Sequence, residues 1–290
     1  MAIVAPTTDL SDELLRRLAD DLVRVDGVVA VALGGSRARG THGPSSDYDL
    51  GVYSEPDRLD LAALGGVARA WAQEDVRIAR PGEWGPWVDG GAWLTVHGRA
   101  VDWILRDVQR VAEQCRRAQA GEFGFHTQPG HPLGFLDVSY AGEVAIGHPL
   151  ADPSGWLASR QRSVDPYPAA LRRALVAHTW QVDFLLGAAR KGAARGDAAY
   201  VALCCSQAAM FCAHGWHARA GVWVVNEKGV LAGVDRLGVE LAGFSGAVHS
   251  VLGRLGETPD ELLASVERLQ TVLGESVSRL SRDGGGGEQS

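Results

Sequence analysis

Two aspartates, Asp47 and Asp49, flank Tyr48 at the start of a run, Asp47 to Tyr53, that reads as a β-strand. Side chains alternate along a strand, so both carboxylates point to one side. Placed together they repel each other unless a cation sits between them, and hard oxygen donors suit Mg²⁺. Upstream, Gly34-Gly35-Ser36-Arg37 breaks an apolar run. Glycine lets the backbone bend sharply and approach a ligand closely. The residues Ser36 to Arg39 look like the first turn of a short helix. Free N–H groups there, with a hydroxyl and arginines beside them, make an anion site suited to phosphate. A phosphate cradle facing paired carboxylates is chemistry for a nucleoside triphosphate. The plainer alternative is a tight strand–turn–strand with two surface aspartates.

Regular elements must hold these groups. Residues 10–25 have Leu14, Leu15, Leu18, Leu22 and Val25 at helical spacing, with Asp9 or Ser11 as N-cap. Val28 to Leu33 has the length and β-branching of a buried strand, and Gly43 to Ser46 forms the turn before the aspartates. A helix is expected over 56–72, weakened at Gly65-Gly66, and a short strand over 75–79. Residues 81–91 read as a loop whose Trp84 and Trp87 either stack on a base or acceptor ring or cover the sheet edge. Two further strands, 93–96 and 100–105, flank His97-Gly98-Arg99. Asp102 sits in the second, between Val101 and Trp103. A lone carboxylate in an apolar strand is costly unless it is paired or metal-bound. A helix over 107–120 follows.

The pattern G-G-S, a gap from Arg37 to Ser46, then D-x-D resembles the signature of the DNA polymerase β-type nucleotidyltransferase superfamily. The wording GGSRARG…SDYDL is similar to the small bacterial nucleotidyltransferases, antibiotic-modifying ones included. The resemblance implies an α/β (α+β) protein: a small mixed β-sheet nucleotidyltransferase domain followed by an all-α helical bundle. It implies two Mg²⁺ ions, with Asp47 and Asp49 holding the one bound to the triphosphate. Asp102, placed where the third carboxylate belongs, would complete the second site and act on the acceptor hydroxyl as ligand, base or both. Gly35, Ser36 and Arg37 would hold the phosphates that leave as pyrophosphate. Arg39 would either assist them or lie on a helix surface. By the same resemblance Glu143 would be a general base near the acceptor, and Lys228 would reach across to the triphosphate or be an ordinary surface lysine.

With 290 residues, 46% hydrophobic and 22% charged, the chain has room for two domains. A net charge of −7 argues against a broad electrostatic grip on nucleic acid, although a local basic groove stays open. The first residues lack a basic n-region and no apolar run reads as long enough to span a bilayer, so no membrane association is expected. The four cysteines suit reduced thiols and a cytoplasmic protein. Cys204, Cys205, Cys212, His214 and His217 allow a zinc site to be drawn, but their surroundings read as a buried helix. Residues 121–167, rich in Gly, Pro and His, are expected to connect the domains, with His126, His131 and Asp137 either lining an acceptor site or simply solvated. Helical patterns cover 169–191, 198–220 and 259–280, with a shorter one between 229 and 255. The domains expected are 1–120, 121–167 as connection, 168–282, and a disordered low-complexity tail, 283–290.

The expected reaction moves a nucleoside monophosphate, AMP first, from an NTP (ATP favoured) to a hydroxyl of an aminoglycoside-like antibiotic or a metabolite. An acidic surface would concentrate a cationic acceptor. Two rivals stand beside it: the same chemistry on a tRNA or protein, or a non-catalytic nucleotide-binding regulatory module. The chain is expected to be a monomer or homodimer.

Overall fold

The computed structural model describes residues 9–239 and 243–282, so the tail at 283–290 lies outside the described residues. They divide into two units, one running to residue 118 and including 123–165, the other comprising 119–122 and the chain from 166 onward.

In the first unit, Ser11 caps helix α1 (Asp12–Leu22) by accepting from the Leu14 N–H at 3.2 Å. Leu15, Leu18, Ala19 and Leu22 form its buried stripe. Strand β1 (Val28–Leu33), the one-turn helix α2 (Gly35–Ala38) and strand β2 (Tyr48–Ser54) follow. Helix α3 (Leu61–Ala72) begins later than residue 56, because the Asp60 carboxylate accepts from the N–H groups of Ala62 and Ala63, both at 2.9 Å. Residues 75–79 supply a single bridge, Ala79 to Gly91, instead of a strand. Strands β3 (Gly91–Val96) and β4 (Arg99–Asp107) form a hairpin that feeds α4 (Val108–Ala120).

The segment expected to be irregular folds into β5 (Phe125–Gln128), β6 (His131–Leu136), α5 (Ser139–Ile146), β7 (His148–Ala151) and α6 (Trp156–Val164). Four- to nine-residue elements broken by glycine and proline carry too few periods to show in a pattern. The main sheet has the order β3-β4-β2-β1-β7, with β2 and β4 parallel and the other pairs antiparallel. One face carries Val31, Leu50, Val52, Leu94, Val101, Trp103 and Leu105 and packs with α1 and α3 into the core. Within the first unit, helices α5 and α6 cover one end of the opposite face. There Trp156 of α6 packs on Tyr53, with ring centroids 5.5 Å apart, and Tyr140 of α5 lies under the Arg106 guanidinium at 4.9 Å.

The second unit holds α7 (Ala169–His178), α8 (Gln181–Ala193), α9 (Ala198–Ala220), α10 (Val230–Val234), α11 (Phe244–Leu252) and α12 (Pro259–Arg282). The helix expected over 169–191 is broken at Thr179. The Thr179 hydroxyl donates to the Val176 carbonyl at 2.7 Å, and the Thr179 and Trp180 N–H groups reach back three residues instead of four. Contrary to expectation, α9 is long and apolar enough to cross a membrane. In this unit it serves as the central helix, with Cys205, Ala209, Cys212 and Ala213 buried against α7, α8 and α12. Its Cys212 Sγ and Trp216 Nε1 both donate to Ser276 Oγ of α12, at 3.2 and 2.6 Å.

Candidate active site

The parallel register of β2 and β4 sets Asp49 beside Asp102, and Asp47 lies just before β2 on the same side. Ligand oxygens of Asp47, Asp49 and Asp102 all lie within 4.8 Å of one another. Asp47 is exposed and the other two are half-buried, on the second sheet face. Burial and then the charges of Asp47 and Asp49 push the Asp102 carboxyl up to about 6. Asp49 is raised by burial, Asp47 and Glu143, while Arg39 and Arg106 oppose this. Three clustered carboxylates with insufficient positive charge form a hard-oxygen donor set that fits divalent Mg²⁺. Among the described residues no cysteine–histidine group meets the same test, and the four cysteines are free, buried thiols.

The glycine turn is locked onto this cluster. Gly34 N–H donates to the Asp49 carbonyl at 2.7 Å. Gly35 has φ +62°, and a Cβ there would lie 1.6 Å from Asp49 Oδ2. Any side chain here would be strained and would have to displace the Asp49 carboxylate. The N–H groups opening α2, of Gly35, Ser36 and Arg37, belong to the first helical turn, where no intrahelical acceptor exists.

The side chain of Arg37 departs from the phosphate role. It is only 7% exposed and folds under the turn. Its Nε donates to the carbonyls of Ser46 and Asp47 at 3.3 and 3.1 Å, and its Nη2 to Ser46 at 2.9 Å and to Asp9 Oδ1 at 3.2 Å. Its guanidinium carbon lies 3.7 Å from the centre of the Tyr48 ring. Arg99 donates to Pro44 O at 2.7 Å and to Asp9 Oδ1 at 2.6 Å. The two arginines and Asp9 thus brace the loop that delivers Asp47. The exposed cation beside the carboxylates is Arg39, which acts electrostatically on Asp49 and among the described residues has no ion-pair partner.

Glu143, on α5, grips Arg106 with both oxygens: Nε to Oε2 at 2.7 Å and Nη2 to Oε1 at 2.8 Å. Arg106 is 4% exposed, and its charged form is favoured by this carboxylate despite burial. Sequence reasoning missed Arg106, yet its even spacing from Asp102 on one strand was an available signal. Lys228 lies in the second unit, exposed before α10, with its backbone N–H on Asn226 Oδ1 at 2.8 Å. Asp137 is fully buried and holds Gly124 and Val138 N–H, Arg117 and His126, the last at 3.0 Å. His126 and Asp137 therefore anchor the β5–β6 hairpin. Trp87 stacks on His126 at 4.2 Å and receives the Tyr140 hydroxyl on its carbonyl. Trp84 instead stacks on Trp93, at 4.4 Å and 19°.

Residues 15–81 match the family described as "Nucleotidyltransferase domain", a span that takes in the glycine turn, Asp47 and Asp49. No curated protein matches the chain. A solved structure of a nucleotidyltransferase-like protein from Exiguobacterium sibiricum is similar, with a TM-score of 0.44 and 10% identity over 93% of this chain and 77% of that one.

Proposed function

We propose, from the match of residues 15–81 to the nucleotidyltransferase domain, that this chain is a Mg²⁺-dependent enzyme that moves AMP from ATP to a small-molecule hydroxyl. The observation that carries this reading is the trio Asp47, Asp49 and Asp102, gathered within 4.8 Å beside the glycine turn. In the transfer, the acceptor oxygen bonds to the α-phosphorus, the bond to the β-bridging oxygen breaks, and pyrophosphate leaves. Asp47 and Asp49 would hold the Mg²⁺ that accompanies the triphosphate, and Asp102 would complete a second site. Bound there, Mg²⁺ would neutralise charge on the entering and leaving oxygens.

Asp102 also takes the proton of the acceptor hydroxyl, since both oxygens of Glu143 are occupied by Arg106. The N–H groups of Gly35 and Ser36 and the Ser36 hydroxyl cradle the departing phosphates. Arg39 supplies the charge that the side chain of Arg37 cannot. Cysteine usage supports a cytoplasmic location.

The test is pyrophosphate release with each NTP and Mg²⁺ against hydroxylated antibiotics, metabolites and tRNA, with Asp47→Asn/Asp49→Asn as control. Release that needs one small acceptor and vanishes in the control is expected. Release with RNA or protein alone would move the acceptor to a macromolecule. NTP binding without turnover would make the protein a regulatory module.

A further inference from the structure

An in-line displacement places the entering group opposite the leaving group across the phosphorus. The strand order β3-β4-β2-β1 turns that requirement into a direction on the sheet. The glycine turn, where pyrophosphate leaves in the reading above, follows β1, while the third carboxylate is on β4. The acceptor therefore comes in over β4, and the next strand outward is β3. On β3 the residue directly opposite Asp102 is Trp93. Directly opposed residues of antiparallel strands share a face, with Cβ atoms about 4.5–5.5 Å apart. Burial agrees: Ala92, Leu94 and Val96 point into the core, while Trp93 is 68% exposed.

Isolated exposed apolar side chains are normal on protein surfaces. Trp93 is not isolated. Trp84 stacks on it at 4.4 Å, and the Trp84 ring fills the space over Gly91, where a Cβ would approach Cη2 to 3.2 Å. The Trp84 backbone is fixed in turn, its carbonyl by Gln128 Nε2 at 2.7 Å and its N–H by the Asp89 carbonyl at 2.9 Å. The result is a preorganised aromatic surface continuous with the carboxylate cluster. Indole is the side chain that best holds a cation over its face, and the adjoining charges are negative. A net charge of −7 argues against a broad electrostatic grip on a polyanion.

We infer that Trp93, backed by Trp84, is the acceptor platform, and that its occupant is a small molecule bearing its hydroxyl on a cationic ring. The inference rests on the small-molecule transferase reading above.

The experiment follows pyrophosphate release with ATP and Mg²⁺, using kanamycin, streptomycin and glucosamine, their N-acetylated forms, and a short RNA with a free 3′-hydroxyl. Wild type is compared with Trp93→Ala and Trp93→Phe, each checked by circular dichroism and thermal melting. For the accepted amine, Trp93→Ala should raise the acceptor KM at least tenfold and hold the ATP KM within twofold. Trp93→Phe should recover most of the loss, and N-acetylation should mimic it. Release by wild type that Trp93→Ala leaves unaltered would overturn the platform while the transferase reading stands. Equal losses in acceptor and ATP KM with a lowered melting point would make Trp93 merely structural. Release with RNA alone would overturn the cationic occupant. No release by wild type with any compound would remove both readings.

Discussion

In Glu143→Ala the carboxylate that holds two nitrogens of Arg106 disappears, and a guanidinium that is 4% exposed stays behind. Its remaining bonds run from Nη1 to the carbonyls of Val88 and Leu105, at 3.4 and 3.2 Å. Removing one partner of a buried ion pair costs about 3–5 kcal/mol. Glu143 is itself 26% exposed, so water enters where it stood, and Asp89 also favours the arginine's charge. The lower end, about 3 kcal/mol, is therefore expected. At about 2–4 °C per kcal/mol for domains of this size, the first unit should melt about 6–12 °C lower. Scanning calorimetry suits the measurement, because two units need not unfold together. The apolar pair Glu143→Leu/Arg106→Met should recover most of the loss, as a hydrophobic replacement often matches a buried pair. Chemistry should suffer less than stability. A Glu143→Ala protein that melts within about 2 °C of wild type but transfers over 100-fold more slowly, on the scale of general-base loss, would refute this account and restore Glu143 as a base.

Gly35→Ala should fold and lose the metal site, because its Cβ would lie 1.6 Å from Asp49 Oδ2 at a φ of +62°. Mn²⁺ affinity, read by paramagnetic resonance, should fall at least about tenfold with transfer activity, as a carboxylate ligand is displaced; unchanged affinity would contradict the packing. Acid should unfold the second unit early. Burial and the neighbouring His217 and His178 lower His214 from 6.5 to about 3, so the unfolded chain binds this proton first. Stability is whole above pH 6.5 and falls as pH drops toward 3, by up to about 1.4 kcal/mol per unit. In urea titrations between pH 6.5 and 4.5, His214→Leu should flatten that slope by about one proton, and equal slopes would dismiss the cause.

Much of the site was legible because its logic is local. Gly35, Asp47 and Asp49 stand within one strand–turn–strand, and period-two alternation alone puts both carboxylates on one side. Asp102 was conspicuous as a charge within an apolar strand. Long helices such as α9 and α12 show enough turns to be read from the pattern. The use of the Arg37 side chain was not legible, because a guanidinium next to a glycine turn has two chemically equivalent uses. Which one prevails depends on Asp9 and on carbonyls nine and ten residues downstream.

What the sequence by itself determined is a set of groups: a glycine turn, three carboxylates and the strand that aims two of them. These follow from bond geometry over a few residues. Only the tertiary structure decided which charges are free to act. Asp9 and Arg99 are ninety positions apart, and Arg106 and Glu143 thirty-seven, yet each pair forms an ion pair. Likewise the antiparallel register of β3 and β4, and nothing in the spacing of tryptophans, put Trp93 opposite Asp102. Side chains of one type differ in role by the partners that packing brings to them, and those partners are remote in the chain because strand order, not sequence order, determines which residues are neighbours.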